Sequence, residues 1–146
     1  MERTEEVDTP AAPAELFAVV EDLGRYSDWL DIVVRATPVD ALEGDRGPAW
    51  SVELRGRLGP LARSKRLRMV RTVHEPHTRA VFERRESGDR SHSPWTLTAL
   101  VDPLDVGSRL TMSLHYGGAL WGPMLERVLA DEVARARPRL VALLAP

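Results

Sequence analysis

The chain has no cysteine, which excludes disulfides, thiolate nucleophiles and cysteine-ligated metals. Lysine is nearly absent too: Lys65 is the single one, and every other basic residue is arginine. With 20 basic against 22 acidic residues the net charge is −2, so nothing electrostatic argues for nucleic acid or an anionic membrane as partner. No apolar run approaches the ~20 residues of a membrane span. The opening Met1-Glu2-Arg3-Thr4-Glu5-Glu6 lacks the basic and apolar regions of a signal peptide, and the expected compartment is the cytoplasm. There is no Gly-rich phosphate loop, and Ser93 and Ser113 lack a nucleophile elbow. The four histidines are scattered. His74 and His77 flank Glu75-Pro76, His92 lies in a hairpin and His115 points outward, so neither a metal nor a cofactor is expected.

What is present points to one α+β unit. The 146 residues, 43% hydrophobic and 29% charged, suit one soluble domain over 1–146, with no repeat, low-complexity tract or linker. The organising stretch is Gly122 to Leu144, which reads as one long helix. Pro123 suits its first turn, where the missing N–H has no partner to lose. Leu125, Val128, Leu129, Val133, Ala136, Leu140 and Leu143 fall at three- and four-residue steps as an apolar stripe. Arg127, Asp131, Arg135 and Arg137 form the solvated side. Pro138 costs roughly 3 kcal/mol inside a helix. Burying the large apolar residues of the stripe contributes roughly 9–18 kcal/mol, so a kink near Arg137 is expected rather than an end. Glu132 falls inside the stripe, and two readings stand. It is a structural carboxylate, paired or reaching the sheet edge, or it is a polar group set in a ligand cavity.

Before that helix the hydrophobic period is mostly that of strands. Arg3 to Asp8 reads as a short first strand with Val7 inward. Pro13 opens a helix carrying Leu16, Phe17 and Val20 to about Asp22, stopped by Gly24. Tyr26 and Trp29 suggest a second short helix ending near Leu30. Six strands follow, the first from Ile32 to Val39. In the next, Trp50, Val52 and Leu54 alternate with polar residues, and a third carries Leu67 and Met69 to Glu75. The last three set Ala80, Phe82 and Arg84, then Trp95, Leu97 and Ala99, then Leu110, Met112, Leu114 and Tyr116 on one face. Gly56, Gly59 and Pro60 mark a turn or bulge, and Ser87-Gly88-Asp89-Arg90 and Asp105-Val106-Gly107 mark turns. The basic run Arg63-Ser64-Lys65-Arg66-Leu67-Arg68 is expected to turn its charges outward. Short connections imply antiparallel pairing.

The chain resembles the START-like superfamily (SRPBCC, the polyketide cyclase/dehydrase-like group). The residues that carry the resemblance are Pro13-Ala14-Glu15-Leu16-Phe17, Leu23-Gly24-Arg25-Tyr26-Ser27-Asp28-Trp29, Gly107-Ser108-Arg109-Leu110-Thr111-Met112 and the block from Gly117 to Leu144. The resemblance implies a helix-grip fold. In it a curved antiparallel sheet of about seven strands wraps around the long C-terminal helix, with two short helices after strand 1.

It also implies a cavity between sheet and helix. Trp50, Leu54, Met69, Phe82, Trp95, Leu97, Met112, Leu114 and Tyr116 face that space by alternation, joined by Met124 and Val128 from the helix. These side chains either fill it as a plain core or leave room for a ligand. Methionine, which adapts to irregular shapes, favours the latter. Arg84, Tyr116 and Glu132 are the polar candidates, a set able to orient a carbonyl or hydroxyl. In the rival reading, which is the expected one, Arg84 neutralises Glu132 as an ion pair. Tyr26 and Trp29 resemble the family's aromatic plug, with core packing the favoured use. The functional expectation is binding of a small hydrophobic ligand of lipid, isoprenoid or polyketide type by a monomer or weak homodimer. A polyketide cyclase/aromatase-type enzyme and a protein-interaction module of the cochaperone type are the alternatives. No motif assigns a catalytic residue.

Overall fold

Alternating apolar and polar residues produce seven strands, and hairpin-length links between several of them favour antiparallel pairing. The strands are β1 (Glu2–Thr9), β2 (Val33–Val39), β3 (Ala49–Leu58), β4 (Leu61–Glu75), β5 (Arg79–Arg84), β6 (Trp95–Pro103) and β7 (Ser108–Tyr116). Between β1 and β2 come α1 (Pro13–Val20) and a short 3-10 helix (Leu23–Asp28), and α2 (Gly122–Leu144) follows β7. A computed structural model of the chain describes residues 1–58, 61–88, 91–118 and 122–145, without the side chains of 57–58, 61–63 and 122–124. The sheet order is β1-β7-β6-β5-β4-β3-β2, so β1 and β2 stand at opposite edges. This is the expected α+β helix-grip arrangement, a curved sheet holding α2.

Leu125, Val128, Ala136 and Leu140 of α2 are buried in the same core as the inward residues of the sheet. The helix runs through Pro138 to Leu144, since burial of its stripe outweighs one lost ladder bond. The stripe ends differently than expected: Leu143 is exposed and Leu144 packs against the core instead. Among the described residues no helix is long and apolar enough to cross a membrane.

Pro13 starts α1, whose Leu16, Phe17, Val19 and Val20 are buried. Asp22 then accepts the Gly24 N–H at 2.8 Å and caps the 3-10 helix. The Tyr26 hydroxyl donates to the Val20 carbonyl at 2.8 Å. Burial, with the Asp22 charge second, pushes this phenol far above its ordinary range and keeps it a neutral donor. The β6–β7 turn locks onto the junction of β1 and α1. Gly107 has φ 81°, and Ser108 Oγ donates to the Ala11 carbonyl at 2.7 Å. The Ala11 N–H in turn donates to Thr9 Oγ1 at 3.1 Å.

Two expectations about β3 and β4 need correction. Gly56 lies within β3, not in a turn. A Cβ there would stand 3.3 Å from Val128 Cγ1, so the glycine lets α2 approach the sheet. Gly59 and Pro60 lie outside the described residues. The basic run does not turn all its charges outward: Lys65 is paired with Leu54, and Leu67 with Val52. Direct cross-strand partners share a face, which sets Lys65 on the concave side. Burial, then the Arg84 charge, lowers its pKa, against the opposing pull of Glu86.

Arg68, on the convex face, clamps the β2–β3 loop. Its Nη2 donates to Asp45 Oδ2 at 2.7 Å and to the Asp40 carbonyl at 2.9 Å, and Nη1 donates to the Arg85 carbonyl at 3.1 Å. The Arg68 hydrogen bond, followed by the Leu42 N–H, holds the Asp45 carboxyl below its usual range. A carboxyl lowered in the folded state stabilises above its unfolded pKa, and the gain is lost as pH falls through the folded value. Asp45→Asn should therefore lower the urea midpoint clearly at pH ~7 and far less at pH ~2. Equal losses at both values would show that the charge is not what holds the loop.

Candidate ligand site

Inward parity on β1, β7 and β6 builds one half of the concave face. Arg3, Glu5 and Val7 pair with Leu114, Met112 and Leu110, which pair in turn with Leu97, Ala99 and Val101. Leu129, Val133, Ala136 and Leu140 of α2 lie opposite, and Trp29 and Leu30 contribute a further wall. These surfaces line a cavity of about 120 Å³ that is partly open to solvent. Its walls are apolar except where β1 and the end of α2 meet. There Arg3 lies 2.8 Å from the Glu5 carboxylate and Arg137 lies 3.0 Å from it.

The other half of the concave face is filled by aromatic rings. Trp50 meets Phe82 with centroids 5.8 Å apart, Tyr26 meets Phe82 at 6.1 Å, and Trp95 packs on Tyr116 at 4.7 Å. Leu54 and Met69 are buried in the same cluster. Of the expected site residues, Leu97, Met112 and Leu114 therefore line the cavity. Trp50, Leu54, Met69, Phe82, Trp95 and Tyr116 pack as core. The side chain of Met124 lies outside the described residues. The buried indole N–H groups of Trp29 and Trp95 have no hydrogen-bond partner among the described residues.

Arg84 keeps its inward parity, paired with Met69, yet does not meet Glu132. Its Nε donates to Glu86 Oε1 at 2.9 Å and its Nη1 to the Ser93 carbonyl at 3.2 Å. Burial alone would raise the Glu86 pKa, but the Arg68 N–H and Arg84 hold it below the usual carboxylate range. The expected ion pair across the cavity is thus replaced by one between residues two apart on the same strand end.

Glu132 is only 2% exposed. Its Oε1 accepts the Ile32 N–H at 3.2 Å and its Oε2 accepts from Arg135 Nη2 at 3.0 Å. The carboxylate thereby ties α2 to the chain entering β2, the sheet-edge role that is one of its two readings. Val128 and Glu132 line a second cleft of about 420 Å³ with Arg55, Gly56, Asp131 and Arg135. That cleft is the roomier, but its walls are charged and its buried carboxylate already has two donors. An apolar ligand gains more from the smaller cavity, which is the candidate site. Among the described residues no cluster of three or more His, Asp or Glu could hold a metal. His74 and His77 instead pack on the Phe17 ring, at 5.6 and 6.2 Å. Reasoning from sequence missed Arg3, Glu5 and Arg137, although the inward parity of Val7 extends directly to residues 5 and 3.

A family model described as polyketide cyclase / dehydrase and lipid transport matches residues 2–145. No curated protein matches the chain in sequence. A START superfamily protein from Mycobacterium smegmatis superposes with a TM-score of 0.71 at 12% identity, covering 98% of this chain and 96% of that one. A protein from Chromobacterium violaceum gives 0.70 at 14% identity, over 99% and 97%. The di-domain ARO/CYC StfQ from the steffimycin biosynthetic pathway gives 0.69 at 12% identity, over 98% of this chain and 50% of that one. At these identities the likeness is one of fold.

Proposed function

Because this chain belongs to the polyketide cyclase / dehydrase and lipid transport family, we propose that its cavity binds a small hydrophobic molecule of lipid, isoprenoid or polyketide type. The observation that carries this reading is the apolar cavity of about 120 Å³ held between β1, β7 and α2. Its size suits one ring or a short branched chain, since an engineered apolar cavity of about 150 Å³ takes up benzene. The ionisable groups that line it are Arg3, Glu5, Glu6 and Arg137, none of them buried. Binding is therefore favoured over acid–base catalysis, which works best with groups positioned out of contact with bulk water.

Toluene is a suitable first probe. It should shift the methyl resonances of Leu97 and Leu114 and saturate at one site per chain, with a dissociation constant on the order of a millimolar. Met112→Trp puts an indole into the same space and should abolish the shifts while the circular dichroism spectrum stays native. A folded Met112→Trp protein that still takes up toluene would refute this site. Native mass spectrometry of the purified protein then identifies any molecule it retains.

A further inference from the structure

At the cavity rim two arginines share one carboxylate. Arg3 and Arg137 converge on the single Glu5 carboxylate, at 2.8 and 3.0 Å. Glu6, the next acid along, has the opposite strand parity and lies 3.8 Å from Arg109. Arg3 also keeps a buried Nε with no hydrogen-bond partner among the described residues. A buried guanidinium N–H without an acceptor carries a desolvation cost that an incoming anion removes. Guanidinium is also the side chain whose fork of donors best matches a carboxylate.

We infer that the rim formed by Arg3 and Arg137 takes an anionic head group, so that the ligand is a compact carboxylic acid with an aryl or short branched tail. This rests on the binding reading above and adds a head-group chemistry to it. The tail enters the apolar space among Leu97, Met112 and Leu129. The carboxylate then competes with Glu5 for the two arginines. The volume argues against a long acyl chain lying wholly inside, because about 120 Å³ is close to the space that one benzene ring occupies.

Phenylpropionate and phenylpropanol share a skeleton and differ in the head group, so calorimetric titration of both reads the rim directly. Phenylpropionate should bind about tenfold more tightly at low salt, and the preference should narrow as salt rises. Replacing both arginines, as Arg3→Gln with Arg137→Gln, should erase the preference while the circular dichroism spectrum stays native. Glu5→Gln removes the competing carboxylate and should tighten phenylpropionate binding, a gain that a purely structural ion pair would not produce. Equal affinities for the two compounds in a protein that binds toluene would overturn the anionic head group and leave the binding reading intact. Failure of toluene itself to bind would remove the binding reading and this inference with it.

Discussion

Replacing Gly107 with alanine should lower the unfolding free energy by about 3–5 kcal/mol, among the largest losses expected for any single methyl added to this protein. Two independent causes combine. The residue sits at φ 81°, a left-handed conformation that costs an L-residue about 1–2 kcal/mol. A Cβ would also stand 2.0 Å from the Thr9 carbonyl oxygen and 2.8 Å from Pro10 Cα, and these are backbone atoms that cannot rotate away. Relief requires the β6–β7 turn to leave the β1–α1 junction, which breaks the Ser108–Ala11 hydrogen bond of 2.7 Å. Gly88 is the control. Its φ is 93°, and among the described residues a Cβ there would meet nothing within 4 Å, so Gly88→Ala should cost only about 1–2 kcal/mol. Similar losses for the two glycines in urea unfolding would mean that dihedral strain alone matters and the contact with Thr9 does not.

Phe82→Ala should be comparably severe, at about 3–5 kcal/mol. Phe82 is fully buried and its ring meets both Trp50 and Tyr26. It therefore joins the aromatic half of the concave face to the 3-10 helix. Truncation removes contacts on two sides and leaves a hole among rigid rings that are poorly placed to collapse into it. Val81, its neighbour on the convex face, is only half-buried, and Val81→Ala should cost less than half as much. Denaturant midpoints at unchanged m-value measure both. Equal costs would invert the assignment of the two sheet faces.

The strand and helix order is legible because each element carries its period over several residues. Trp50, Val52 and Leu54 hold one face of β3, and Leu110 to Tyr116 hold one face of β7. Contacts that depend on where elements end in space are less accessible. Alternation puts Arg84 on the correct face, but its partner is Glu86, just past the end of β5, and no periodicity extends there. Glu132 stands out as anomalous in its stripe, whereas its acceptance of the Ile32 N–H depends on how the chain enters β2. Gly56 carries a turn-forming residue type for a packing reason, the close approach of Val128. For Lys65 and for Arg3 and Glu5 the signal is present in the sequence. Counting back by twos from Leu67 and from Val7 places all three on the concave face. At the site, Leu97, Met112 and Leu114 can be read from alternation, but which half of the face stays open depends on how the rings of Tyr26, Trp50 and Phe82 meet.

The position of β1 has a consequence for how the protein is made. Glu2 lies opposite His115 in the sheet, 113 residues away in sequence. At synthesis rates of about 5–20 residues per second, β1 leaves the ribosome roughly 5–20 s before β7 exists to receive it. A strand without its partner is a template for pairing with other chains. Four acids and one arginine in β1 leave Val7 as its only apolar side chain, so two waiting copies repel each other. The acidic stretch that ends by presenting Glu5 at the cavity rim thus protects this edge of the sheet during the seconds in which it waits for β7.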